Sequence, residues 1–209
     1  MATTGSVVRL DAARCPEARA ALAKAFLDYP VMVYAAPTAT RRAAGVAALY
    51  GAFISDALRH GEIFGTADTV VGAACWLPPE RSTISFPRQV RAGMFQLPIH
   101  FGIRGFSRLL AYDAMAAKLH HTYAHEPHWY LAALGVQPDH QGQGIGGALM
   151  RPILARADGQ GLPCYLETHK PENVRLYQRH GFEVSCHCQV PGHPVPVWAM
   201  LRKPRPAGS

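Results

Sequence analysis

The chain has 209 residues, 49% of them apolar and 17% charged, enough to bury one core, with no need of a second domain and no fit to a disordered or fibrous class. A formal net charge of +7 favours an anionic partner and leaves nucleic acid, an acidic membrane face and a phosphorylated cofactor open. Five cysteines without a C-x-x-C pair argue against a disulfide framework and against a closed zinc site.

The opening MATTGSVVRLDAARC lacks the basic-then-apolar order of a secretory signal, so the expected location is cytoplasmic. Residues 6–10 read as a strand. Cys15-Pro16 opens a helix at a position where proline's missing N–H is harmless, with Ala21, Leu22, Ala25 and Phe26 as its apolar stripe. Val46, Leu49, Tyr50, Phe53, Ile54, Ala57 and Leu58 mark a second helix, stopped by Gly61. Strands follow over Glu62–Thr66 and residues 69–77, joined through a turn at Ala67-Asp68.

Residues 87–121 read as an irregular helical insertion, its helical pattern interrupted by Pro98, Gly102 and Gly105. The order then becomes regular: strand Trp129–Val136, a glycine-rich loop, a helix over 145–159, strand Cys164–Thr168, a short helix over 173–180 and strands over 182–190 and 195–201. The stretch 184–201 lacks Asp, Glu, Lys and Arg, but its histidines and three prolines make it a poor spanning helix. One domain is expected over residues 1–203, with a flexible tail at 204–209.

The loop QPDHQGQGIGGALM places Gly142, Gly144, Gly146 and Gly147 at the start of a helix. Glycines there let orphan N–H groups face outward and hold a diphosphate, assisted by the helix dipole. Gly142, Gly144 and Gly147 also satisfy G-x-G-x-x-G, but the loop comes late in the chain and too few βα units surround it for a dinucleotide fold. The phosphate loop of nucleotidases is excluded, since no Gly-Lys-Ser/Thr follows.

Gln141-x-x-Gly144-x-Gly146 resembles the Q/R-x-x-G-x-G/A signature of GNAT acetyltransferases, and Tyr177 through Gly181-Phe182 resembles that family's downstream Y-x-x-x-G-F element. The stretches GVQPDHQGQGIG, YLET, LYQRHGFEV and RKP, with FLDYP ending at Pro30, are similar to the group around puromycin N-acetyltransferase. The resemblance implies an α/β fold with a mixed, mostly antiparallel central sheet flanked by helices. It implies an acyltransferase, an acetyl-CoA-dependent N-acetyltransferase, carrying acetyl from acetyl-CoA to an amine of a small, antibiotic-like molecule by direct attack in a ternary complex.

By the same resemblance, amides near Gly135 and Val136 address the acetyl carbonyl. Gln141, Gly142, Gln143, Gly144, Ile145 and Gly146 hold the pyrophosphate, and Asn173 bonds the pantetheine arm. Tyr177 is the expected general acid, because a phenol of pKa near ~10 keeps its proton at neutral pH. The base is open among Glu167, Glu126 and His128, the last two also candidates for acceptor binding, and Tyr29 is a candidate wall of the acceptor pocket. His121 and His125 have i, i+4 spacing without a third ligand, so no metal is expected. Cys186 and Cys188 alternate on a strand, and direct transfer needs no acyl-cysteine. The expected partners are a small-molecule amine and coenzyme A, with no nucleic acid and no membrane, in a monomer or homodimer. The alternatives are a protein-amine acetyltransferase, or a noncatalytic basic module presenting Arg88, Arg91, Arg104 and Arg108 to nucleic acid or acidic membrane.

Overall fold

In the computed structural model, which describes residues 6–205, β1 (Val7–Arg9) leads through a 3-10 turn capped by Asp11 into α1 (Cys15–Phe26). A helix not signalled by the sequence, α2 (Pro30–Ala35), precedes α3 (Ala39–His60). Six residues are too few for an apolar period to show. β2 (Glu62–Thr66) and β3 (Gly72–Leu77) pair antiparallel. β3 starts later than residue 69 because Thr66 holds a wider turn: its hydroxyl donates to the Thr69 carbonyl and accepts from the Val71 amide at 2.9 Å.

Residues 87–121 fall in α4 (Phe86–Ala92), a 3-10 turn at Met94–Gln96 and α5 (Leu97–Tyr123). Of the three expected interruptions only Gly102 leaves helical dihedrals, at φ 69° and ψ 170°. Pro98 stands in the first turn of α5, where no N–H is missed. The remaining elements are β4 (Trp129–Val136), α6 (Ile145–Gln160), β5 (Cys164–Thr168), α7 (Pro171–Arg179), β6 (Glu183–Gln189) and β7 (Pro196–Arg202). α6 continues through Pro152 and stops at Gly161, where Leu162 N–H reaches back to the Ala157 carbonyl at 2.9 Å. Of the expected tail, the Arg205 amide donates to Asp158 Oδ1 at 2.7 Å, and residues 206–209 lie outside the described residues.

The sheet runs β1-β2-β3-β4-β5-β7-β6, and only β4 and β5 are parallel. One face is covered by α1, α2, α3 and α5, with Leu22, Val46 and Phe26 inside, and the other by α6 and α7, with Leu149, Ile153 and Phe182 inside. Burying each such side chain contributes about 1.5–3 kcal/mol. Among the described residues no helix is long and apolar enough to cross a membrane.

Two irregularities in β4 open the middle of the sheet. Against β3 the register jumps from Cys75↔Ala133 to Trp76↔Leu131, so Ala132 is an extra residue, and such a bulge bends its strand. Against β5 only Trp129↔Cys164 and Tyr130↔Tyr165 pair, after which the strands part. Gly135 lets α1 lie directly on the far half of β4. A Cβ there would stand 2.8 Å from Phe26, 2.9 Å from Ala25 and 2.9 Å from Leu22.

Candidate active site

Where β4 leaves β5, its outward amides lose their strand partner. The Gln137 N–H donates to the Val71 carbonyl at 2.8 Å on the β3 side, and the Val136 carbonyl accepts from the Gln141 side chain at 2.9 Å on the opposite side. Because backbone groups alternate along a strand, Gly135 points to β3, whereas Leu134 and Val136 point into the gap. Of the two residues expected at the acetyl carbonyl, Gly135 faces β3 by this register and its missing side chain admits α1, whereas Val136 faces the gap together with Leu134.

The glycine loop adjoins the gap. Gly142 and Gly144 have φ of 77° and 79°, and a Cβ on either would touch nothing within 4 Å. Left-handed backbone costs a non-glycine residue about 1–2 kcal/mol, so these glycines serve the path of the chain rather than any packing. Gly144 caps α6 without a side-chain bond, no acidic residue stands in the first turn, and the first bond back into the helix is Ala148 N–H to the Gly144 carbonyl. The amides of Ile145, Gly146 and Gly147 therefore remain orphaned at a positive helix end.

An uncapped, side-chain-free cradle of this kind fits a diphosphate. Gln141 and Gln143 are both exposed, and the Gln141 side chain is tied to the Val136 carbonyl. The side chain of Ile145 is buried in the α6 core, which leaves its amide for a ligand. Gly146 lies against Leu176 of α7 and within 4.0 Å, measured from an added Cβ, of Leu134 and Val136, joining cradle, gap and α7.

From the gap a cavity of about 710 Å³ extends between the sheet and the helices α3, α4 and α5. Leu134, Asn173, Tyr177, Tyr29 and Glu167 all line it. Tyr177 is buried with its ring edge-on to Phe182, and burial first, then the neighbouring Tyr29, pushes its pKa well up, so the phenol holds its proton at neutral pH. Asn173 Nδ2 donates to Thr168 Oγ1 at 3.2 Å. The Tyr29 hydroxyl lies 3.1 Å from the same oxygen and accepts from the His169 amide at 2.9 Å, locking the end of β5.

Glu167 projects from β5 into the cavity, and Tyr130 OH donates to its Oε2 at 2.9 Å. The other oxygen, Oε1, is buried without a partner among the described residues. The Tyr165 hydroxyl has no hydrogen-bond partner among the described residues, yet it is near enough to the Glu167 carboxyl to favour its charged form. Burial outweighs both hydroxyls and pushes Glu167 up to about 7. A carboxyl of that pKa accepts a proton at neutral pH far better than an ordinary glutamate holds one.

Two expected residues are elsewhere. The Glu126 side chain is exposed and does not line the cavity, because the turn before β4 directs only its carbonyl inward, to His128 Nδ1 at 2.6 Å. His128 is 3% exposed and sits behind His120, with the two Nε2 atoms 2.6 Å apart. His120, absent from the sequence-based candidates, is the one that lines the cavity, stacked on Tyr165. Burial first and His128 second bring it down to about 4, so it is neutral. Asp113, on the same face of α5, was equally unsignalled.

Of the arginines considered as a basic surface, Arg88 is held on Asp56 through two 2.6 Å bonds. Arg108 donates to the Tyr34 carbonyl at 2.7 Å and stacks over the Tyr34 ring. Among the described residues no group of three His, Cys, Asp or Glu side chains is placed to hold a metal ion.

The sequence profile of the Acetyltransferase (GNAT) family matches residues 50–182, more than half the chain. A Schizosaccharomyces pombe protein described as an uncharacterized N-acetyltransferase is 27% identical over 206 residues, covering 94% of this chain and 82% of that protein. The crystal structure of a Corynebacterium glutamicum protein described as histone acetyltransferase HPA2 and related acetyltransferase is 25% identical, covers 98% of this chain and 99% of its own, and superposes with a TM-score of 0.71. A Drosophila melanogaster polyamine N-acetyltransferase shares the fold, with a TM-score of 0.56 at 17% identity, over 94% of this chain and 98% of its own.

Proposed function

The chain belongs to the acetyltransferase (GNAT) family, and from that premise we propose that it moves the acetyl group of acetyl-CoA onto a primary amine of a small molecule by direct attack in a ternary complex. The observation that carries this reading is one cavity that joins the unpaired edge of β4, the Tyr177 phenol and the Glu167 carboxyl. An acid, a base and the β4 edge at Leu134 around one space, with Val136 next along that edge, are the groups an acyl transfer to nitrogen requires.

When bound, acetyl-CoA supplies an activated thioester. The orphan amides of Ile145, Gly146 and Gly147 hold its diphosphate, and Asn173 hydrogen-bonds the pantetheine arm. Glu167 takes a proton from the acceptor ammonium and frees its lone pair to attack the thioester carbon. Leu134 and Val136 N–H groups donate to the oxygen as it becomes an oxyanion. Tyr177 donates its proton to sulfur as the C–S bond breaks, and the amide nitrogen sheds its second proton. One proton is released overall, with coenzyme A and the N-acetyl product.

The test is calorimetry with acetyl-CoA, followed by thiol release against a panel of amines. Puromycin belongs in the panel, given the resemblance of residues 129–203 to its acetyltransferase. Binding together with release supports the reading. Absence of acetyl-CoA binding removes the diphosphate cradle on which it stands.

A further inference from the structure

The chain carries 21 lysines and arginines, yet none of the described ones lines the cavity. Three carboxylates do: Asp56, Asp113 and Glu167. Asp56 is closed off, since Arg88 grips both of its oxygens. Among the described residues the partners of the other two are neutral: Asp113 accepts only from Gln89 Nε2, at 3.3 Å, and Glu167 only from the Tyr130 hydroxyl. Asp113 is near enough to Glu167 for its charge to oppose ionisation there. Four histidines also line the cavity: His120 and His169, each brought down to about 4 mainly by burial, add no positive charge, and His121 and His125 are exposed at the outer end of α5 and beyond it.

A half-buried carboxylate such as Glu167 without a cation is costly, and Asp113, exposed yet lining the same cavity, adds a second negative group facing that space, which suits a positive ligand. Asp113 is exposed by surface area while much protein surrounds it. The two facts agree if its accessible surface opens into the cavity it lines.

The rest of the wall is of a different kind. Phe53, Met94, Phe106 and Leu109 line the cavity, and at its rim Phe86 and Phe95 remain 75% and 63% exposed. Such a surface gains by covering apolar area and loses by stripping water from further charges.

Resting on the acetyltransferase reading above, we propose that Asp113 is an acceptor-binding carboxylate and that the acceptor is an amphiphilic monoamine. Its single ammonium lies between Asp113 and Glu167, and its apolar body lies along the aromatic wall formed by α4 and α5. Glu167 then removes the proton while Asp113 keeps the site attractive to the charged form. Polyamines and aminosugars carry further cations, and once Glu167 and Asp113 are engaged the cavity has no free carboxylate to meet them.

The experiment is steady-state thiol release by the full chain with acetyl-CoA and four acceptors: 2-phenylethylamine, octylamine, spermidine and an aminoglycoside. The expected kcat/KM is at least about tenfold higher for the two monoamines than for either polycation. Asp113→Asn is expected to raise the monoamine KM about tenfold, with kcat and the acetyl-CoA KM within about twofold, and Asp113→Glu to recover part of the loss. Calorimetric binding of 2-phenylethylamine to the Asn variant reads the same effect independently of turnover. A preference for the polycations, or an acceptor KM unchanged in Asp113→Asn, overturns the proposal and leaves the acetyltransferase reading standing. Loss of both acetyl-CoA binding and all thiol release in the wild type brings down the two together.

Discussion

Glu167 is unusual for a strand residue because its acidity is set by burial against two hydroxyls, with no cation to hold the charge. If it is the base, kcat/KM rises as pH passes upward through about 7, since only the deprotonated carboxylate can take the ammonium proton. Tyr130→Phe removes the donor that favours the charged form, so the same limb moves to higher pH. Glu167→Gln removes the limb and lowers kcat by roughly 10²–10⁴. Stability has the opposite sign. The folded pKa lies above the reference value of 4.5, so this group's contribution is full below that value and is lost as pH rises through about 7. Glu167→Gln should therefore unfold later than wild type at pH 8, by on the order of 1–3 kcal/mol, and show no gain at pH 4. Tyr177→Phe should reduce kcat about a hundredfold while calorimetry finds acetyl-CoA affinity nearly unchanged; full turnover in that variant excludes the phenol as the acid. Tyr29, Glu167, Asn173 and Tyr177, put forward from segments with recognisable spacing, come together on one cavity wall. Asp113 and His120 were not legible in the sequence, being ordinary polar residues of a long helix whose inward face exists only after α5 packs over the sheet. Glu126 and His128 misled for a related reason: nearness to β4 in sequence does not say which way a turn aims a side chain.

The strand–loop–helix unit from β4 to α6 was the most legible element, because glycines at 142, 144, 146 and 147 make sense only at a helix start. What the sequence could not convey is register. The bulge at Ala132 and the early parting of β4 from β5 decide that Leu134 and Val136, rather than Gly135, face the gap. α2 was missed for its shortness, and the later start of β3 follows from one threonine hydroxyl in the preceding turn. A paired substitution separates backbone path from helix propensity within this unit. Gly144→Ala forces a Cβ onto a left-handed residue, at about 1–2 kcal/mol, and turns the orphan amides away. Its expected result is about a tenfold or greater loss of acetyl-CoA affinity by calorimetry. Gly159→Ala, on the exposed last turn of α6 where an added Cβ meets nothing, should instead raise stability by about 0.5–1 kcal/mol and leave affinity as it was.

At the scale of the molecule, the sheet and α6 supply the cofactor side, and α3, α4 and α5 enclose the acceptor side. The two halves are held by different forces. The first rests on continuous core, with Leu149, Met150 and Ile153 fully buried. α4 has no buried residue of its own and is tied down mainly through Arg88, whose guanidinium binds Asp56 of α3 with both groups about nine-tenths buried and also reaches the carbonyls of Arg81 and Thr83, with lesser bonds from Arg59 to the Arg91 carbonyl and from Gln89 to Asp113. Removing one member of such a pair strands the other charge, which typically costs about 3–5 kcal/mol, whereas replacing both by apolar groups is often neutral. Arg88→Met should therefore loosen α4 from α3, lower the melting temperature by roughly 6–20 °C at about 2–4 °C per kcal/mol, and raise the acceptor KM while acetyl-CoA affinity changes little. Adding Asp56→Leu to it should restore most of the stability, because no charge then remains without a partner. Hydrogen exchange reports where the change occurs. Faster exchange confined to residues 79–96 in the single variant, reversed in the double one, is the expected pattern. Uniform acceleration across β4 and α6 would mean instead that the ion pair supports the whole fold, and that the acceptor wall is not a separately held layer.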